Sequence, residues 1–149
     1  MSERTPEPQR PADETPGTAT ALPVAPQPTG LEALLAEHFI TDPTADPFTT
    51  MQAAEQLFAA KRYTDAARLV DALAGTPEGA SRHARELLAR SYYHSAQLAK
   101  AADAARELLD VDPTNVDAAV LLTRALERAG KKDEAAPVRR LATSLGADI

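Results

Sequence analysis

The chain has no cysteine and only three histidines in 149 residues. The first absence excludes disulfides, thiolate nucleophiles and Cys-ligated zinc or iron–sulfur centres, and three scattered imidazoles are a poor basis for a metal site. No stretch approaches the roughly 20 apolar residues that span a bilayer. No basic region followed by an apolar run opens the chain either, since the most apolar N-terminal stretch, Ala19 to Ala25, is interrupted by Pro23. A soluble cytoplasmic protein with no membrane partner is expected. Positive charge is also short: 16 Lys and Arg stand against 22 Asp and Glu, a net charge of −6. Neither end of the chain has the basic stripe that a phosphate backbone requires, so nucleic acid is not expected as a partner. There is no Gly-rich phosphate loop, no recognisable nucleophile–base pair and no strand pattern to build a conventional crevice. The sequence therefore predicts no catalysis and no cofactor.

Proline is plentiful but badly spread. Seven of twelve fall in residues 1–30, where no residue is aromatic and no hydrophobic period exists. Such a segment lacks the apolar surface to offset its ordering entropy, so a disordered N-terminal tail with polyproline II bias is expected there. A plain solvated tail is the first expectation, with Thr5-Pro6 and Thr15-Pro16 as the places for phosphorylation and Pro23 to Pro28 for a Pro-rich ligand as the alternative. Residues 31–46 form the next unit. Leu31, Leu34, Leu35 and His38 or Phe39 fall at helical spacing, predicting a short amphipathic helix over 31–39. At under about 12 residues it must dock, either on the rest of the chain or on a partner. Pro43 and Pro47 then separate it from residues 47–149, the folding domain.

That domain repeats. KRYTDAARLVDAL (61–73), AQLAKAADAARELL (96–109) and GKKDEAAPVRRLA (130–142) each carry a turn, an alanine and an apolar stripe. The alanines are Ala66, Ala101 and Ala135, at intervals of 35 and 34. Twelve residues before each lies another small residue: Ala54, Ala89 and Thr123. Three residues after that comes a large one: Leu57, Tyr92 or Leu126. Small residues at this spacing let paired helices approach to about 8–10 Å. The large ones fill the seams. The predicted core is Leu57, Val70, Leu73, Leu88, Tyr92, Leu108, Val111, Leu122, Leu126, Val138 and Leu141. Pro137, four residues after the candidate cap Asp133, predicts a bent or late-starting last helix.

The pattern resembles the tetratricopeptide repeat (TPR) family, whose units of about 34 residues fold as two antiparallel helices. The segment DPTNVDAAVLLTRALERAGKKDEAA carries the likeness best, with Asp112-Pro113 ending one repeat, Gly130 in the turn and Glu134-Ala135 opening a second helix. Thr50 stands where the family has an aromatic, Lys61 and Ala96 replace the turn glycine, and LGADI lacks a closing proline. The resemblance covers about residues 47–147. It implies an all-α fold, an α-solenoid of about three helix-turn-helix repeats.

The resemblance further implies that the first helix of each repeat lines a concave groove that binds peptides or helices of a partner protein. Helical periodicity then gives the groove faces: Phe48, Met51, Glu55 and Phe58; His83, Glu86, Arg90, Tyr93 and His94; and Asp117, Val120, Arg124, Glu127 and Arg128. Met51, Phe58 and Tyr93 are the expected anchors, unless Met51 or Phe58 is buried under helix 31–39. That helix is also a candidate to fill the groove itself. The clamp with which some members hold acidic chaperone tails is not found, since Met51, Glu55, Leu87, Asp117 and Leu121 stand at its places. His83 and His94, eleven residues apart, share a face but lie about 16 Å apart along a helix, too far for one metal. A protein-binding adaptor is the first expectation. Self-association into a homo-oligomer, through a solenoid end or helix 31–39, is the second.

Overall fold

The computed structural model describes residues 45–149, and the tail and the helix expected at 31–39 lie outside them. Seven helices follow: α1 (Pro47–Ala59), α2 (Tyr63–Ala72), the single turn α3 (Pro77–Ala80), α4 (Arg82–His94), α5 (Leu98–Val111), α6 (Val116–Arg128) and α7 (Lys132–Ser144). No strand occurs among the described residues.

The first member of each of the three long pairs starts on a side-chain cap. Asp46 accepts from the Thr49 amide at 3.0 Å, Ser81 from Ala84 at 3.1 Å and Asn115 from Ala118 at 3.0 Å. These bonds satisfy amides that have no partner inside the helix. The second helices have no such cap and are launched by the turn instead. After α1, α4 and α6 one residue takes a left-handed backbone: Lys61 (φ 61°), Ala96 (φ 60°) and Gly130 (φ 78°). The following amide reaches back to a carbonyl of the helix just ended, Arg62 to Leu57 at 2.8 Å, Gln97 to Tyr92 at 2.9 Å and Lys131 to Leu126 at 2.8 Å. This is the Schellman geometry, which reverses the chain in three residues. Only Gly130 adopts it without a steric cost.

Helices therefore pack in chain order, α1 on α2, α2 on α4, α4 on α5, α5 on α6 and α6 on α7, while α4 touches α6 more lightly. The three pairs α1/α2, α4/α5 and α6/α7 build a one-dimensional stack. Its spine is the small-residue register: Ala54, Ala66, Ala89, Ala101 and Thr123 are 0% exposed and Ala135 is 1% exposed. Thr123 fits because its hydroxyl donates to the Ala119 carbonyl at 2.8 Å, as Ser91 does to Leu87 at 2.7 Å. Buried hydroxyls are thus satisfied within their own helices.

The core differs from expectation in several places. Val111 is 69% exposed and Leu141 38% exposed. Val111 is the last residue of α5, where the chain leaves its neighbour; Leu141 lies on the outer side of α7, which among the described helices packs chiefly on α6. Leu69 and Leu87 are buried in their stead, and Leu88, Tyr92 and Val138 are half-buried. The turn α3 interrupts the repeat between α2 and α4: Thr76 caps it at 3.1 Å from the Gly79 amide, with Pro77 at its first position. A β-carbon at Gly79 would overlap the Leu73 carbonyl, so glycine is required there. The last helix starts neither late nor at Asp133. Its cap is Lys131, and Pro137 is carried inside the helix.

Candidate functional site: a cleft between α4 and α6

Ser81 and Asn115 start α4 and α6 in equivalent places, so residues 34 apart occupy matching positions on the two helices. Between them opens a cleft of about 350 Å³, lined by Glu86, Arg90, Tyr93 and His94 from α4, and Asp117, Ala118, Val120, Leu121 and Arg124 from α6, with Leu108 of α5 at its floor. Seven of the predicted groove residues meet here: Glu86, Arg90, Tyr93, His94, Asp117, Val120 and Arg124.

An aromatic cluster adjoins the cleft. The His94 ring stacks on Tyr63 at 4.7 Å between centroids, and meets Phe58 at 5.7 Å and Tyr93 at 5.5 Å edge to face. Phe58 also meets Tyr63 at 5.1 Å. Rings from α1, α2 and α4 are thereby locked together, in the arrangements that aromatic quadrupoles favour. Two guanidiniums lie over the cluster, Arg90 at 4.8 Å from the Phe58 centroid and Arg128 at 5.5 Å from that of Tyr93. Arg128 Nη1 also donates to the Tyr93 carbonyl at 3.2 Å, closing the C-terminal end of α4. Partial burial among the rings, reinforced by the positive charges of Arg90 and Arg128, holds the His94 imidazole below its ordinary pKa.

The acidic side chains around the cleft are largely engaged. Glu86 Oε1 accepts from Arg82 Nε at 2.8 Å and from Asn115 Nδ2 at 3.3 Å. Glu55 pairs across α1 and α4 with His83 Nε2 at 2.5 Å. Arg82 also reaches Asp112 Oδ2 at 3.4 Å. Asp112 titrates below the usual carboxylate range, chiefly because the Thr114 hydroxyl and amide donate to it, with Arg82 adding to the effect.

The other expected groove residues do not line the cleft: Phe58 and Arg128 belong to the adjoining aromatic cluster, Glu55 and His83 pair with each other, and Met51, Glu127 and Phe48 lie elsewhere. Met51 is 8% exposed and belongs to the buried cluster that includes Leu57, Leu73 and Leu87, because α1 turns that side toward its neighbours. Glu127 faces α7 and pairs with Arg139, at 2.8 Å to Nη2 and 2.9 Å to Nε. Phe48 is 62% exposed in the first turn of α1. The face reading of the sequence missed Tyr63, which sits on a second helix and joins the cluster from behind, and Leu121, which lines the cleft. The signal for Leu121 was its place 34 residues after Leu87. Among the described residues no group of three or more His, Asp or Glu has metal-holding geometry, and no helix is long and apolar enough to cross a membrane.

No family model and no curated protein matches the sequence. Among solved structures, a point mutant of MamA, a protein of the TPR fold, is similar with a TM-score of 0.64 over 78% of this chain and 84% of that one. The fold is a TPR-like solenoid. At 17% identity the likeness concerns the path of the backbone. In solenoid terms α1, α4 and α6 are the first helices of three repeats, and the cleft lies between the first helices of the second and third.

Proposed function

We propose that the chain is a protein-interaction module that takes a segment of a partner protein into the cleft between α4 and α6, without chemistry. The supporting observation is convergence: Arg90, Arg124, Tyr93, His94, Val120 and Leu121 meet in one cleft that has both apolar walls and unused donors. Clefts of this kind, few per protein, are where ligands bind. Its volume is at the low end of ligand clefts, which suits a few residues of an extended segment better than a helix about 10 Å across.

The test is capture of the partner by the tagged full chain and by Tyr93→Ala and Val120→Asp, with helicity of each variant checked by circular dichroism. Folded variants should lose the partner by roughly thirtyfold in affinity or more, the scale of an interface hot spot of about 2 kcal/mol. Capture indifferent to both changes would refute the assignment. A second reading, self-association, is favoured by Phe48, a large side chain left bare at the first described helix. Sedimentation equilibrium of the full chain and of Phe48→Asp separates them: a dimer lost on substitution supports assembly through that end.

A further inference from the structure

We infer that the cleft selects an acidic segment of its partner, with Arg90 and Arg124 sharing a carboxylate between them. The inference rests on the binding role proposed above and specifies its chemistry. Arg90 and Arg124 follow the buried spine residues Ala89 and Thr123, so the repeat itself sets them at matching positions on the first helices of consecutive repeats, both lining the one cleft. Arg128 stands one turn beyond Arg124. None of the three has a carboxylate within 4.0 Å among the described residues.

The contrast with the acids is what gives this weight. Glu86 is held by Arg82 and Asn115, Glu55 by His83 and Glu127 by Arg139. Asp117 alone of the lining acids has no such partner, and it sits seven residues before Arg124, about 10 Å away along the helix. Among the described residues, one end of the cleft is therefore positive without compensation. One of its guanidiniums is also prepositioned: Arg90 rests on the Phe58 ring, and beside the cleft Arg128 rests on the Tyr93 ring. A ring face engages the plane of a guanidinium and leaves its in-plane N–H donors free for the two-pronged contact a carboxylate makes. Val120, Leu121 and Tyr93 lie beside the arginines, so the fitting segment has Asp or Glu next to a large apolar residue, in extended form. The overall charge of −6 opposes such a ligand at long range. Selectivity is local to the cleft and shows as affinity rather than as fast association.

A random dodecapeptide library displayed on phage, panned against the full chain, tests this. Enriched peptides should share an acidic residue beside an apolar one. Synthetic copies should bind at least tenfold more weakly when their Asp and Glu become Asn and Gln. They should weaken equally on Arg90→Glu/Arg124→Glu, and on the milder Arg90→Gln/Arg124→Gln should the first variant misfold. Enriched peptides without acids that still depend on Val120 would overturn the inference and leave the cleft as a binding site. Peptides indifferent to Arg90, Arg124 and Val120, or no enrichment at all, would overturn both.

Discussion

Arg90 on α4 lies over the ring of Phe58 on α1, 4.8 Å from its centroid, and with that contact the first repeat supports the cleft-lining face of the second. The ring is steadied in turn by Tyr63 and His94. A residue expected to anchor a partner thus acts as the seat of an arginine that lines the cleft. Removing Phe58 would release the Arg90 side chain, whose rotamer freedom then opposes binding.

His94 reports on this neighbourhood. Its imidazole is held below the ordinary value, first by burial and then by Arg90 and Arg128. The folded state refuses a proton that the unfolded chain accepts, so stability holds steady above about pH 6.5 and declines as pH falls from there toward the depressed folded value, below which the loss is complete. Proton NMR titration should give a His94 midpoint lower than that of a free imidazole, and chemical denaturation should show the decline for the native chain and its absence in His94→Gln. An acidic peptide in the cleft should move the midpoint upward by cancelling the arginine charge.

The turns predict a stabilising change. Ala96 takes a left-handed backbone that Gly130 adopts freely at the matching turn. Ala96→Gly relieves that strain and loses part of the gain to the greater freedom of unfolded glycine, leaving a net increase of about 0.5–1 kcal/mol. Gly130→Ala should cost about 1 kcal/mol. Urea unfolding midpoints decide both, and a destabilised Ala96→Gly would contradict the turn assignment.

The spine predicts the opposite for a larger residue. Ala89 is fully buried against Leu108 and Ala118. Ala89→Leu forces α4 away from α5 and α6 and should destabilise by about 1–3 kcal/mol. Thermal unfolding of that variant with an unchanged midpoint would contradict the packing register.

The fold was legible because close approach of helices demands small residues at a fixed interval, and all six positions of the register, from Ala54 to Ala135, are buried. What blurred the core was the leucine doublet. In Leu87-Leu88 two adjacent residues differ by 100° around the helix axis, and periodicity alone favoured Leu88 where the structure buries Leu87. Chain ends of helices misled in the same way at Val111. The turn α3 escaped notice because Thr76-Pro77-Glu78-Gly79 caps a helix only one turn long. In the site, a face count placed Met51 and Glu127 in the groove; the orientation of each depends on the next helix in the stack, which a single helix cannot reveal. The cleft arginines were legible as groove residues, but their freedom from carboxylates among the described residues came from the three-dimensional pairing of Glu86, Glu55 and Glu127 with other partners.

Site-specific photo-crosslinking tests the central claim most directly. With p-benzoylphenylalanine replacing Val120, inside the cleft, or Arg68, exposed on α2, the full chain should form an adduct with its protein partner from position 120 and none from position 68. The adduct at 120 should disappear when Arg90→Glu/Arg124→Glu is added. An adduct from position 68 and none from position 120 would contradict the account.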